Sequence, residues 1–165
     1  MEGRPARIAY WITTLPVAFE NAAGAMWVFL PLIPGVNHSH ASIAFADYIR
    51  AMLDHLGYPQ YFRFILGPWQ LACAATLVAP RMKRVKEWAY FGAFLNYSSA
   101  IASHAFVGDG IDVAALVPAV LVCLSWALRP TAPTGETSAW DWARAAGILI
   151  LLFIGSLFWL PHLQR

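Results

Sequence analysis

Apolar residues in this chain come in runs near twenty long, separated by short polar stretches. A helix needs about that length to cross a bilayer. The pattern predicts five spans, at about residues 8–32, 61–79, 87–107, 111–128 and 138–160. Pro16 lies inside the first span and cannot donate to the Ile12 carbonyl, so a kink or a local water is expected there. Pro31 and Pro34 end that span, Pro80 closes the second, and Arg129-Pro130 closes the fourth. Ser138 can cap the fifth, with Asp141 favourably placed in its first turn.

Residues 37–60 are too polar to span. Within them, 43–56 keeps helical periodicity. Ala46, Ile49, Met52, Leu53 and Leu56 share one face, and Asp47, Arg50 and Asp54 lie on the other. Gly57 supplies a C-terminal cap, with Pro59 beyond it. The reading is a short amphipathic outer helix, on the membrane surface or over the mouth of the bundle.

The third span organises the rest. Four basic residues (Arg81, Lys83, Arg84 and Lys86) precede it, and Ser103, His104 and Asp109 form a polar tip. Its small residues Gly92, Ala93, Ser99, Ala100 and Ser103 predict close helix contact. With five spans, one side holds Arg4, Arg7, Arg81, Lys83, Arg84, Lys86, Arg129 and Arg144. The other side holds Arg50, Arg63 and Arg165. Excess basic charge marks the cytoplasmic side, so the N-terminus is expected inside and the C-terminus outside the cell (inner) membrane.

Composition agrees. The chain is 59% hydrophobic and 12% charged, about half the charge of a soluble domain. The expected fold class is all-α: one polytopic membrane domain over 1–165, with the lipid bilayer as its surroundings. The one basic cluster sits at a helix end, which argues against a nucleic-acid partner. Cys73 and Cys123 fall in apolar spans without a CxxC pair, so thiol-redox chemistry is not expected. Arg4 and Arg7 ahead of an apolar run resemble a signal peptide, but Pro16, Glu20 and Asn21 interrupt the run, and an uncleaved span is expected.

Candidate chemistry begins at mid-depth. Glu20, Gln70 and Asn96 fall near the middle of spans one, two and three. A carboxyl there costs about 2.5–3.5 kcal/mol on insertion scales, so it should face the bundle interior. No basic residue matches its depth, so Glu20 is expected to hold a proton, with Gln70 or Asn96 as its hydrogen-bond partner. Asn21 adjoins it as a ligand-binding candidate. Trp69 and Tyr97, beside this layer, are candidates to stack on a flat ligand. The alternative is a structural clamp that fixes helix register. A second group lies at the outer end, where His104 and Asp109 are candidates for proton handling and Ser103 for ligand contact. His38, His40 and His104 are the only candidates for metal, and their spacing matches no metal motif. A b-type haem is not expected, because only one histidine lies within a span.

Five segments in order add a resemblance. They are His55-Leu56-Gly57-Tyr58-Pro59, Leu66-Gly67, Leu77-Val78-Ala79-Pro80, Lys86-Glu87-Trp88-Ala89-Tyr90, and Ser103-His104 with Gly108-Asp109. Over Tyr10 to Pro130 the chain resembles the DoxX-like family of small membrane proteins. The resemblance implies a four-helix membrane bundle, to which the fifth span is an addition. It also implies uneven function. Some members resemble the small membrane subunit of a thiosulfate:quinone oxidoreductase, others belong to oxidoreductase complexes with soluble partners, and a distant animal relative is an assembly chaperone. Gln70 stands where the family usually carries a lysine, which leaves Glu20 without a cation.

Three readings stay open. The first is a membrane oxidoreductase subunit that binds a quinone or another lipophilic molecule and takes electrons from a soluble or membrane redox partner. The second is a stand-alone isomerase, cyclase or hydrolase acting on a terpenoid or lipid, with Glu20 as general acid. The third is a non-enzymatic assembly factor. A quinone is the one cofactor considered, and homo-oligomerisation is compatible with all three.

Overall fold

The computed structural model describes residues 4–29, 40–80, 82–129 and 147. They form five helices in order: α1 (Arg4–Phe29), α2 (His40–His55), α3 (Phe62–Val78), α4 (Lys83–Val107) and α5 (Val113–Leu128). There is no strand among the described residues. The expected fifth span at 138–160 lies outside them, apart from a helical Gly147, as does His38.

Four helices make a ring. α1 packs mainly on α3 and α5, and α4 packs on the same two from across the bundle. α2 rests against α1. Lys86 of α4 reaches Tyr10 of α1, and Tyr97 of α4 reaches Asn21 of α1. The diagonal pair α1 and α4 therefore runs parallel. Ser125 of α5 meets Thr14, and Gln70 of α3 lies over Gly24, so α3 and α5 run the other way.

The core between them combines small side chains with two tyrosines. Val17, Ala18, Leu77, Tyr90, Ala93, Tyr97, Ala119 and Val122 pack together. Of the small residues expected to give close contact along α4, Ala93 does so. Gly92 and Ser99 are exposed, and a Cβ added at Gly92 would meet nothing within 4 Å. The reason is angular. Successive helix residues point about 100° apart, so 92 and 93 cannot share a contact.

Two glycine turns fix the outer end. Gly57 has φ +77°, the Tyr58 N–H donates to the Leu53 carbonyl (2.8 Å), and the Gly57 N–H donates to the Asp54 carbonyl (3.1 Å). Gly108 repeats the motif at φ +91°, with Asp109 N–H to His104 carbonyl (3.0 Å) and Gly108 N–H to Ala105 carbonyl (3.3 Å). Both are left-handed C-terminal caps that a Cβ would strain. Asp112 then caps α5 by accepting from the Ala114 N–H at 3.0 Å.

The ring exposes many large apolar side chains around a core that includes a few polar ones. Thr14, Asn21 and Ser125 are buried, while Ile12 (65% exposed), Phe19 (75%) and Phe91 (63%) face outward. Yet no helix among the described residues is long and apolar enough to cross a membrane. α3 and α5 have 17 and 16 residues, short of the roughly 20 that a bilayer core requires. α1 and α4 are longer but carry the polar residues that face the core.

Candidate functional site

α4 presents one stripe to the interior at spacings of three and four: Lys86, Tyr90, Ala93 and Tyr97. Each polar member makes a contact across the ring. Near the basic end, Tyr90 Oη lies 2.8 Å from Ser125 Oγ, which lies 2.6 Å from Thr14 Oγ1. The Thr14 hydroxyl is also 2.6 Å from the Tyr10 carbonyl, and Tyr90 Oη donates to Tyr10 Oη at 3.5 Å. These hydroxyls satisfy one another in a core that excludes water. Below them, Glu87 clamps α5, accepting from Arg129 Nε (2.7 Å) and Trp126 Nε1 (3.0 Å).

One turn beyond Ala93, Tyr97 is a second hub. Asn21 Nδ2 donates to Tyr97 Oη at 2.8 Å and to the Val17 carbonyl at 2.9 Å. The Tyr97 hydroxyl in turn donates to Glu20 Oε2. Glu20 is exposed and lines a groove of about 440 Å³ between α1 and α5, whose other walls include Pro16, Val113, Val117 and Pro118. The expectation that Glu20 faces the interior and bonds Gln70 or Asn96 is thus corrected. Asn21 takes the interior position, 2% exposed, and its neighbour Glu20 points elsewhere around the helix.

Gln70 and Asn96 do share a cavity, on the opposite side of the Asn21–Tyr97 pair. It measures about 320 Å³ and lies between α3 and α4. Trp69 and Trp88 wall it, Gly92 leaves it open, and Asn21, Gln70, Asn96 and Thr76 supply polar side chains. Gln70 and Asn96 make no hydrogen bond to the described residues. The amide of Gln70 occupies the space that a Cβ on Gly24 would take, 2.8 Å from Gln70 Oε1. Trp69 stands where a flat ligand could stack. Tyr97 does not: it is buried in the core and absent from the cavity wall. Trp88 takes its place in the wall.

At the outer end, Asp109 accepts two histidines. His104 Nδ1 lies at 2.8 Å and His55 Nε2 at 2.9 Å. The Gly108 cap explains the first contact, because it folds Asp109 back over His104. His104 Nε2 approaches Asp112 at 3.8 Å. Ser103 bonds Tyr58 Oη (2.7 Å) rather than lining the cavity. His55 was not singled out by sequence; its place in the His-Leu-Gly-Tyr-Pro segment was its only signal. Among the described residues no group of histidine, cysteine and carboxylate side chains could hold a metal ion. The side chains of His38 and His40 lie outside the described set.

Hydrogen bonds from His104 and then His55 hold the Asp109 carboxyl below the usual carboxylate range. A lowered folded value means the contacts stabilise fully above an ordinary aspartate pKa of about 3.9 and fade as pH falls through the folded value. The latch that joins α2 to the end of α4 is therefore intact at neutral pH and releases in acid. Water screens these exposed pairs, so the effect is local. Hydrogen exchange of α2, corrected for its intrinsic pH dependence, should stay flat down to about pH 4 and rise below it. Asp109→Ala should show the raised exchange already at neutral pH; unchanged protection in that variant would remove the latch.

A ring of four helices with inward polar residues, a side cavity and an amphipathic helix at one end defines a small all-α bundle. The chain belongs to the DoxX-like family, whose model matches residues 12–128. No curated protein and no solved structure matches it.

Proposed function

We propose that this protein is an integral membrane protein that holds a quinone or another flat lipophilic molecule in the α3–α4 cavity, as part of a membrane oxidoreductase system. The observation that carries the reading is the cavity itself. Two tryptophans face a space of about 320 Å³, with three amide side chains at its polar side. That volume sits at the lower end of ligand sites, and their usual makeup is an apolar wall with a few polar groups. Gln70 and Asn96 are half-buried and keep hydrogen-bonding capacity that a ligand can use.

The membrane part rests on the apolar outer surface and on charge. Arg4 and Arg7 of α1, Arg84 and Lys86 of α4, and Arg129 at the end of α5 share one end of the ring. Arg50 and Arg63 lie toward the other. A basic end facing the cytoplasm follows from the usual bias. Cys73 and Cys123 form no CxxC pair, so a redox reaction of the ligand would exchange its electrons with a partner protein.

Acid–base chemistry on a ligand in this cavity would need a carboxyl oxygen within reach, whereas Glu20 opens to the α1–α5 groove. The test is mass spectrometry of organic extracts from purified protein, wild type beside Gly92→Leu. A stoichiometric lipophilic molecule present in the first and absent from the second supports the reading. Bulk lipid alone in both would favour an assembly role.

A further inference from the structure

Of the three amides that line the cavity, Asn21 is the one whose orientation is fixed. Asn21 Nδ2 donates both its hydrogens, to the Val17 carbonyl at 2.9 Å and to Tyr97 Oη at 2.8 Å. A backbone carbonyl can only accept. Turning the amide over would set Oδ1 against the Val17 oxygen, two acceptors at hydrogen-bond distance with no proton between them. Val17 therefore pins the amide. The Tyr97 hydroxyl, which accepts from Asn21, spends its own hydrogen on Glu20. Both amide hydrogens of Asn21, and the hydrogen of Tyr97, go to groups that do not line the cavity. What remains for a ligand is Asn21 Oδ1, an acceptor.

We infer that the ligand of the α3–α4 cavity presents a hydrogen-bond donor to Asn21, and so is a hydroxyl-bearing ring such as a phenol or hydroquinone rather than the corresponding quinone. This rests on the cavity being a ligand site, as proposed above. A hydroxyl hydrogen satisfies Oδ1. A carbonyl in the same place sets two acceptors against each other and leaves both unpaired, which is more damaging than the absence of a bond. Gln70 and Asn96 can turn to offer either polarity, so they accept the rest of the ligand without choosing between the two forms. Asn21 is the specificity-determining residue, and Val17 and Tyr97 are what hold its orientation.

The discriminating experiment uses three probes with the same ring: tetramethylhydroquinone, duroquinone, and the dimethyl ether of the hydroquinone. Equilibrium dialysis against the full chain in nanodiscs, under anaerobic conditions, gives each affinity. The hydroquinone should bind roughly tenfold or more tightly than the quinone and the ether. Asn21→Leu should erase the difference. Tyr97→Phe should keep it, because the Val17 carbonyl still holds the amide; this variant guards against a general loss of folding in Asn21→Leu. Equal affinity of all three probes in the wild type would overturn the inference while leaving the cavity as a ligand site. Failure of all three to bind would instead remove the cavity reading on which the inference stands.

Discussion

Gly92→Leu abolishes ligand capture and leaves the bundle folded, a combination that few substitutions in this chain should give. Gly92 forms part of the cavity wall, and the space before its α-carbon is open to beyond 4 Å. A leucine side chain there enters the cavity without meeting the opposite helix. Its backbone is an ordinary helical one, since the positive-φ glycines among the described residues are Gly57, Gly108 and Gly110. Replacing a helical glycine with leucine gains up to about 1 kcal/mol in helix propensity. Stability should therefore be unchanged or raised, while any molecule in the 320 Å³ space is displaced with a loss of at least tenfold in affinity. The neighbouring substitution is the control. Ala93 is packed in the core against Val17, Leu77 and Val122, so Ala93→Leu should overpack it and cost about 1–3 kcal/mol. Thermal unfolding in detergent, read beside ligand content, separates the two. If Gly92→Leu keeps its ligand, the molecule is bound somewhere other than between α3 and α4.

The pairing of Gly92 with Ala93 shows what a sequence yields and what it withholds. Depth along a helix is legible from counting, at about 1.5 Å per residue. That is why Glu20, Gln70 and Asn96 could be set at one level and why the helix ends fell close to where they are. Direction around the helix is a separate quantity, and it needs to be known which neighbour each face meets. Glu20 and Asn21 are adjacent in sequence and equal in depth, yet one opens to the α1–α5 groove and the other lies at the core. The stripe Lys86, Tyr90, Ala93 and Tyr97 was available at helical spacing and would have identified Tyr97 as core rather than as a stacking surface. The partners of that stripe, Thr14 and Ser125, carry no signal of their own because single hydroxyls in apolar runs are common.

The family segments turn out to be joints. In Lys86-Glu87-Trp88-Ala89-Tyr90, Lys86 meets Tyr10, Glu87 holds Arg129 and Trp126, Trp88 lines the cavity, and Tyr90 meets Ser125. In the His-Leu-Gly-Tyr-Pro segment, His55 binds Asp109, Gly57 makes the left-handed turn, and Tyr58 bonds Ser103. These contacts close the ring at its two ends. That is why the segments could announce the fold without naming a ligand.

Tyr97→Phe removes one oxygen and should cost about 1–2 kcal/mol, the second large effect. The hydroxyl accepts from Asn21 and donates to Glu20. Without it, one Asn21 hydrogen faces a phenyl edge in a core that water does not reach. Glu20→Gln should cost much less, under about 0.5 kcal/mol, because the amide keeps a carbonyl oxygen for Tyr97 and its other end faces the open groove. Glu20→Leu removes the acceptor, and the comparison with Tyr97→Phe in a double-mutant cycle should return a coupling near 1 kcal/mol. Reversible unfolding in mixed micelles measures all four corners. The size of the coupling carries the argument. A clear coupling means Glu20 is retained for its bond to Tyr97 and hence for the orientation of the interior hub. A coupling near zero, with Tyr97→Phe still costly, means the hub is held by Asn21 and Val17 alone. Glu20 would then be a carboxylate kept on the α1–α5 groove for something that binds there.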